Sequence, residues 1–354
     1  MKMRMKITKR KKKIIKDGST PHITNETVAE HREEVISKGR RFKYPHQYLK
    51  HKLIFNALIL TFVAVSLLSV FIWFQLYIAQ NSSSLLYRIT KVVPVPVASV
   101  DNSTVTYGDY LMRYRSQEYW LKNNGQLGLN EKDKTEQLSY FKRKVLDDLE
   151  KDIFAERLAK EQGITVTDNE VDDLIRSSMN TSNGQISKAV FDAASKETLG
   201  YSPDEYRHLI HQTLVRFKVT YVIDSDAKLL SDKVSQLLNT KNIRKNNNPL
   251  SKIAASFSKD GVQYGESGLV PDSNRDGGLA KTAKKLKDGE ISAVIQATNI
   301  SGLYFVQRVS ADGNRVNYRF LHVPVNEFKK KFSELKNSGK IKEYIQIRDI
   351  SKDK

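Results

Sequence analysis

The sequence predicts an α+β protein with a single N-terminal transmembrane helix, then a mostly helical module, then a small antiparallel sheet with flanking helices. Three observations support this prediction. Residues Leu53–Ala79 contain no charged side chain. Between residues 106 and 217, apolar positions recur at helical spacing behind several N-cap sequences. Residues 303–323 instead alternate apolar and polar side chains around an Asp-Gly-Asn turn, which indicates a β-hairpin.

The 27 residues of Leu53–Ala79 would form a helix of roughly 40 Å, enough to span a hydrocarbon core of about 30 Å. A buried core helix would normally keep a polar stripe, and this segment has none. A cleavable signal peptide would have an apolar core of about 7–15 residues close to the N-terminus, whereas 52 residues precede this one. Trp73 and Tyr77 lie near its outer end, where amphipathic rings prefer the membrane interface. We therefore expect an uncleaved signal anchor at residues 53–79.

The segment before the anchor is a basic tail. Residues 1–52 hold 16 Lys and Arg against 5 Asp and Glu, a net charge of +11 out of +19 for the chain. Because positive segments stay in the cytoplasm, we expect residues 80–354 to be outside the cell membrane. The run Met1–Lys16 is expected to be disordered and to attract anionic membrane lipids. Nucleic-acid contact is the alternative, but no nucleic-acid-binding motif accompanies the charge, so no nucleic-acid partner is expected.

The residues that could carry chemistry are few. The chain has no cysteine, which excludes disulfides, thiol catalysis and most structural zinc sites. His208 and His211 have the i, i+3 spacing of two metal ligands, but no further ligand is apparent near them. We therefore expect no metal site and no cofactor. Four acidic residues of the predicted long helix alternate with Lys and Arg, which is typical of a solvated helix face. They are Asp148, Glu150, Asp152 and Glu156.

Capping sequences predict where the helices that follow the anchor begin. Thr106, with Asp109 three residues later, predicts the start of a helix that runs to about Leu121. The strongest apolar stripe predicts a helix from Glu136 to about Gln162, which Gly163 would end. Two capping boxes predict further helix starts. They are Thr167 with Glu170, and Ser202 with Glu205, where Pro203 takes the first helical position.

Other segments give weaker signals. The stretch Ser177–Ala189 is predicted to be a loop, and residues 215–221 fit either a helix or a strand. A helix is predicted for Asp226–Leu238, a polar linker for residues 240–249 and a short helix for Leu250–Phe257. Near the C-terminus, Phe328, Phe332 and Leu335 would share one face of a helix that ends before Gly339.

The order of these elements resembles a known family. The opening PVPVASVDNSTVTYGDYLMRYR, with a short strand at Val97–Val100 before the first capped helix, resembles the start of SurA-like foldases. The long helix, the sequence GITVTDNEV and the capped helix at Ser202 follow in that family's order. Residues Ser251–Val309 resemble a parvulin-type (PpiC) peptidyl-prolyl isomerase domain, with a Gly-rich stretch at Gly265–Gly268 and the turn KDGEIS before the last strand.

The resemblance implies a domain organisation. Residues 80–222 would form a SurA N-terminal-like helical chaperone module, completed by a C-terminal helix at residues 326–347. Residues 223–325 would form the parvulin-like domain, and residues 348–354 a disordered tail. The implied partners are unfolded or exported polypeptides.

The resemblance also implies that isomerase chemistry is lost. Parvulin-type sites contain two facing histidines and an apolar proline pocket. The histidine of the last strand corresponds here to Tyr304, and that of the first strand to Phe320, or to a position near Thr220 if an earlier strand serves. The pocket aromatic corresponds to Lys284. His322 lies two residues from an expected histidine. We therefore expect no catalytic residue, with Tyr304 and His322 as the candidates if activity survives.

Substrate-binding residues and the nearby strand pairing follow from the same alignment. We expect Val316–Val323 to pair with Leu303–Val309 as an antiparallel hairpin. The candidate substrate-binding residues are Tyr304, Phe320, His322, Leu279 and Tyr264. The predicted function is a membrane-anchored extracytoplasmic chaperone. The alternatives are a divergent active prolyl isomerase and an envelope structural protein with one dedicated partner.

Overall fold

The computed structural model describes residues 24–43, 45–181, 184–240, 248–297 and 300–347. The predictions made for Met1–Lys16 and for residues 348–354 lie outside these residues, as does most of the predicted linker at residues 240–249. The chain divides into two units, Met1–Phe71 and Ile72–Lys354. Its elements are α-helices and antiparallel strands, so the predicted α+β class is confirmed.

The first unit contains helix α1 (Asn25–Lys43) and most of helix α2 (Pro45–Trp73), and a short π-helical segment (Phe74–Ile78) continues α2. Among the described residues, Lys52–Ile78 is the one helix long and apolar enough to cross a membrane. Its large apolar side chains are exposed as far as Phe71, with 71% of Leu60 and 75% of Phe62 accessible, whereas Leu76 is buried. An exposed apolar surface of this size marks a site of contact with a membrane or with another protein.

The second unit contains a helical part, a four-stranded sheet and two smaller sheets. Its described helices are α3 (Ser84–Val92), α4 (Tyr107–Asn123), α5 (Glu131–Gln162), α6 (Asp168–Ser178), α7 (Lys188–Leu199), α8 (Pro203–Ile223), α9 (Ser225–Leu238), α10 (Pro249–Ser256), α11 (Leu279–Lys285) and α12 (Glu327–Asn337). Its described strands are β1 (Pro96–Val100), β2 (Ser103–Thr106), β3 (Asn180–Thr181), β4 (Gly184–Gln185), β5 (Gln263–Pro271), β6 (Ile295–Gln296), β7 (Leu303–Asp312), β8 (Arg315–Val323) and β9 (Ile341–Glu343).

The predicted helix starts are confirmed by side-chain caps. The Thr106 hydroxyl accepts a hydrogen bond from the backbone N–H of Asp109 at the start of α4. Thr167 and Ser202 each form a complete capping box, with Glu170 and Glu205, at the starts of α6 and α8. These caps satisfy backbone groups that a helix end leaves unpaired.

Helix α5 forms the centre of the helical part and ends as predicted, because Gly163 adopts the left-handed conformation that a C-cap requires. The helix begins at Glu131, five residues before the predicted start. It packs against α4 and α8. Its apolar stripe, which includes Leu146, Leu149 and Phe154, is fully or almost fully buried.

The C-terminal segment returns to this helical part. Phe328 and Phe332 of α12 lie with ring centroids 5.3 and 5.7 Å from that of Phe154 on α5. Strand β9 then pairs with β1, which gives a three-stranded sheet of order β2-β1-β9. The N-terminal and C-terminal parts of the second unit therefore share one hydrophobic core.

The four-stranded sheet has the order β5-β8-β7-β6, and its described strand pairs are antiparallel. The predicted hairpin is confirmed, since β7 pairs with β8 from Leu303 opposite Val323 to Asp312 opposite Arg315. Gly313, with φ of +52°, takes the first central position of the two-residue turn, where a type II′ hairpin needs a positive φ. Helices α9 and α10 cover one face of the sheet, and α11 covers the other.

The C-terminal helix predicted for residues 326–347 ends at Asn337 and is followed by strand β9. Two further predictions also need correction, and one open alternative is settled. The stretch Ser177–Ala189, predicted as a loop, contains the β3–β4 hairpin and the start of α7. Residues 215–221, which fitted a strand or a helix, are helical within α8, so no early strand exists near Thr220. The acidic face of α5 is not uniformly solvated, because Glu150 is 0% and Asp152 2% exposed. Their charges are covered by elements distant in sequence, which helical periodicity does not reveal.

Candidate functional site

Two residues proposed from the sequence, Tyr304 and His322, lie directly opposite each other on β7 and β8. Their ring centroids are 4.9 Å apart. The Tyr304 hydroxyl donates a hydrogen bond of 3.1 Å to the carbonyl oxygen of Ser301, and His322 Nε2 lies 3.2 Å from the same oxygen. The His322 ring occupies the space where a Cβ of Gly302 would lie. Glycine is therefore required at position 302, because φ is +128° and because the His322 ring leaves no space for a side chain.

The electrostatics of this pair favour neutral rings. Burial lowers the pKa of His322, and the hydrogen bond to Ser301 opposes this shift only in part. Burial also raises the pKa of Tyr304 above its usual value. Because a carbonyl oxygen can only accept, His322 must carry its proton on Nε2. That nitrogen is therefore a donor to Ser301 and is not available as a base.

Phe320 and Leu279 belong to the same side of the sheet. The ring centroids of Phe320 and Tyr304 are 6.2 Å apart, and the Phe320 ring covers the backbone of Gly265 on β5. Leu279, at the start of α11, packs in the same cluster and is 3% exposed. Tyr304 is 7% exposed, so this face of the sheet is a packed core under α11.

Tyr264 does not join the other four residues. It pairs with Leu321 and packs with the cluster on the opposite face of the sheet. Its hydroxyl donates to Glu266 and accepts a hydrogen bond of 2.7 Å from Asn248. The structure therefore brings together Tyr304, Phe320, His322 and Leu279 but places Tyr264 elsewhere.

A cleft of about 790 Å³ lies elsewhere, between the helical part and the sheet. One wall is formed by the end of α6, the β3–β4 hairpin, α7 and the start of α8. The other wall is formed by the end of β5, the loop after it, α11 and Asn314 in the β7–β8 turn. The volume falls in the range of about 300–1,000 Å³ that is typical of ligand sites.

The two walls differ in chemistry. The apolar side chains of the helical wall include Phe191 and Tyr206, whose rings meet edge to face at 5.3 Å. The other apolar side chains of the helical wall are those of Leu174, Ile186, Ala194 and Leu199. The opposite wall carries four basic residues against one acid, Asp272. The basic residues are Arg275, Lys281, Lys284 and Lys285.

Two hydrogen bonds shape the cleft. Arg275 Nη2 donates across it to the carbonyl oxygen of Ser178, at 3.4 Å. Lys284 Nζ donates to the carbonyl oxygen of Gly313 and so holds the β7–β8 turn against α11. Lys281 and Lys285 are exposed. The basic wall therefore presents two exposed ammonium groups, those of Lys281 and Lys285, to the cleft.

None of the five residues proposed from the sequence lines this cleft. The sequence contained two usable signals for it. The run KTAKKLK from Lys281 to Lys287 concentrates positive charge on a short helix. Ser187 and Gly200 cap α7, and the Ser187 hydroxyl accepts from the N–H of Val190. A prediction of α7 from these caps would have identified the apolar wall of the cleft.

The comparison with protein families decides the identity of the helical part. A model of the SurA-like N-terminal domain matches residues 42–220, half of the chain. The chain belongs to the SurA-like family. No curated protein and no solved structure shows significant similarity to it. The match covers α2 to α8, so the apolar wall of the cleft lies within the SurA-like part, whereas the basic wall lies beyond it. SurA-like proteins are chaperone-like and extracytoplasmic.

Proposed function

We propose that this protein is a membrane-anchored, extracytoplasmic chaperone that binds unfolded or exported polypeptides and has no prolyl isomerase activity. The observation that carries the proposal is the cleft between the SurA-like wall and the basic wall. An extended polypeptide could place apolar side chains against Phe191 and Leu199 and acidic side chains against Lys281 and Lys285. Binding of this kind needs adaptable apolar contacts and charge, and it needs no catalytic group.

The packing around Tyr304 supports the absence of isomerase activity. A prolyl isomerase must lower a rotational barrier of about 18–20 kcal/mol and needs an open pocket for the proline ring. Here Leu279, Tyr304 and Phe320 fill that face of the sheet, and His322 is hydrogen-bonded to Ser301. A divergent isomerase would need an open pocket, and the packing of this face leaves no space for a proline ring.

The proposed location follows from the first unit. The exposed apolar helix Lys52–Ile78 would cross the membrane. The basic residues before it would stay in the cytoplasm and contact anionic lipids. A protease added to intact, wall-stripped cells should digest the part after residue 80 and spare the N-terminal tail. Digestion of the tail alone would reverse the proposed orientation.

The binding function is tested with the full-length protein in detergent or nanodiscs. The aggregation of an unfolded client is followed by light scattering at increasing molar ratios of the protein. We expect the wild-type protein to slow aggregation and the double variant Lys281→Glu/Lys285→Glu to lose most of this effect for an acidic client. The matched control is Lys329→Glu/Lys330→Glu, which makes the same charge change on the exposed face of α12, outside the cleft.

Two results would contradict the proposal. A wild-type protein that fails to slow aggregation at any ratio would remove the chaperone function. A control variant that loses as much as the cleft variant would remove the cleft as the binding site. Crosslinking that recovers one partner and no unfolded clients would favour the envelope structural protein instead.

A further inference from the structure

Helix α5 carries a carboxylate inside the protein that no neighbour pairs with. Glu150 is 0% exposed, and neither of its carboxylate oxygens has a hydrogen-bond partner among the described residues. Buried carboxylates are normally paired, hydrogen-bonded or bound to a metal. Burial, followed by the charge of Glu343, raises the pKa of Glu150 to about 7. An unpartnered buried group in a native protein needs an explanation, such as a bound water or ion.

Two further carboxylates lie beside Glu150. Asp147 comes from the preceding turn of α5, and Glu343 comes from β9 in the C-terminal segment. One oxygen from each of the three residues lies within 4.8 Å of the others. Oxygen ligands bind Ca²⁺ at about 2.3–2.6 Å, so two ligands of one ion are at most about 5 Å apart. The separations therefore allow one cation to contact all three carboxylates.

The nearby basic residues leave room for such an ion. Arg143 donates to both oxygens of Glu343, at 2.7 and 2.8 Å. Lys336 Nζ lies 3.2 Å and Arg143 Nη1 3.7 Å from Oδ1 of Asp147. Each carboxylate has about four lone-pair positions, so Glu343 and Asp147 can bind a cation without releasing these partners. Once Glu150 is deprotonated, three carboxylates against two basic side chains leave an excess of negative charge for the ion.

We propose that Asp147, Glu150 and Glu343 form a Ca²⁺ site that fastens the C-terminal strand β9 to helix α5. The donor set favours Ca²⁺ because it consists of oxygens alone, with Glu150 buried at its base and Glu343 exposed at its rim, where waters complete the coordination. Mg²⁺ requires a stricter octahedral geometry, and Zn²⁺ prefers nitrogen and sulfur ligands. The ligands come from α5 and β9, which are far apart in the sequence, so local sequence patterns predicted no metal.

The test uses the full-length protein in detergent after removal of metals with a chelator. Calorimetric titration with CaCl₂ should give one site per chain, with a Kd of about 10⁻⁴–10⁻³ M, which is the range of extracellular Ca²⁺-binding modules. Ca²⁺ should also raise the Tm and slow amide exchange in residues 341–345. Mg²⁺ should bind at least tenfold more weakly, because the site does not impose an octahedron.

Matched variants locate the ion. Glu150→Gln keeps the shape of the side chain and should abolish the Ca²⁺-dependent rise in Tm, and Asp147→Asn should weaken binding at least tenfold. Asp148→Asn is the control on the same helix, since Asp148 is a half-exposed acid beside Lys151 and lies outside the cluster. Circular dichroism confirms that each variant is folded before titration. If Glu150→Gln does not fold, the comparison of Ca²⁺ binding between Asp147→Asn and the wild type tests the site.

Three results would overturn the proposal. One is no heat and no rise in Tm for the wild type at about 10 mM Ca²⁺, tenfold above the weakest Kd expected. Another is an equal rise in Tm for the wild type and the folded acidic variants. The third is a Ca²⁺ effect that the Asp148→Asn control also loses.

Discussion

Tyr304 and His322 face each other across the β7–β8 ladder and share one acceptor, the carbonyl oxygen of Ser301. The shared acceptor fixes both side chains against the loop that precedes β7. In a catalytic pair, the polar atoms would be directed towards a substrate. Here they stabilise the protein, because a buried polar atom needs a partner within the fold.

The first prediction is that the purified protein does not accelerate the isomerisation of prolyl peptides. Leu279 and Phe320 pack beside Tyr304 and fill the face of the sheet where a proline ring would bind. A protease-coupled peptide assay should give the uncatalysed rate for the wild type and for His322→Ala alike. A rate enhancement that His322→Ala abolishes would show an active isomerase.

The second prediction concerns the close contact of Phe320 with Gly265. A Cβ at Gly265 would overlap the Phe320 ring, and the ring has little space to move between Tyr304 and Tyr318. Gly265→Ala should therefore lower the free energy of unfolding by about 1–3 kcal/mol, as overpacking does. Urea denaturation measures this change.

The smaller side chain of Phe320→Leu should relieve the overlap. The double variant Gly265→Ala/Phe320→Leu should then be less destabilised than the sum of the two single variants. Strict additivity would mean that the two residues do not interact.

The third prediction concerns Asp152, which is buried between two arginines. Arg113 Nη2 donates to Oδ2 of Asp152 at 2.5 Å, and Arg216 Nη1 forms an ion pair with Oδ1 at 2.9 Å. Removal of one member of a buried ion pair leaves the other charge uncompensated. Asp152→Ala should cost about 3–5 kcal/mol of the free energy of unfolding.

Asp148 provides the matched control on the same helix. It lies 3.4 Å from Lys151 in a half-exposed i, i+3 pair, and such pairs contribute less than about 1 kcal/mol. Equal losses of stability for Asp148→Ala and Asp152→Ala, measured by urea denaturation, would show that burial of Asp152 does not matter.

These residues show which features the sequence could predict. The caps at Thr106, Thr167 and Ser202 depend on residues three positions apart, and all three were found in the sequence. The hairpin at Gly313 depends on a local turn and was also predicted. Burial of Asp152 instead depends on Arg216, which is far away in the chain. The cleft was missed for the same reason, since its two walls meet only in the folded protein.

The fourth prediction concerns the pH dependence of His208, whose Nε2 lies 3.0 Å from Oδ1 of Asp109. The hydrogen bond to Asp109 raises the pKa of His208, although burial opposes the shift. Burial alone would raise the pKa of Asp109. The hydrogen bonds from His208 and Thr106 lower this pKa by more, so it lies below its usual value. Because the folded pKa of His208 is raised, its stabilising contribution is complete below about pH 6.5 and is lost as the pH rises through the folded pKa.

The contribution of Asp109 has the opposite sign, because its folded pKa is lowered. It is complete above the unfolded pKa and is lost as the pH falls through the folded value. An NMR titration should show His208 with a pKa above its usual value in the wild type and a lower one in Asp109→Asn. His211→Asn, one turn further along α8, should leave the His208 titration unchanged. A His208 pKa that does not respond to Asp109→Asn would contradict the assignment.

The last prediction concerns Tyr221, which ties the end of α8 to the loop before β7. Its hydroxyl lies 2.9 Å from the carbonyl oxygen of Ala297, 3.0 Å from that of Gly302 and 3.3 Å from that of Ile300. Burial raises the pKa of Tyr221 to about 12, so the hydroxyl remains a donor throughout the range of normal assays. This one side chain therefore connects the SurA-like helices to the four-stranded sheet.

Tyr221→Phe removes the donor and leaves the ring in place. We expect a loss of about 1–2 kcal/mol in the free energy of unfolding, as for a partly buried hydrogen bond, and faster amide exchange in residues 300–304. Tyr344→Phe is the control, because the Tyr344 hydroxyl lies 3.2 Å from Oγ of Ser99 at an exposed position. Unchanged exchange in residues 300–304 of Tyr221→Phe would mean that other contacts hold the loop. Faster exchange confined to this loop would instead identify Tyr221 as the contact that holds the loop before β7.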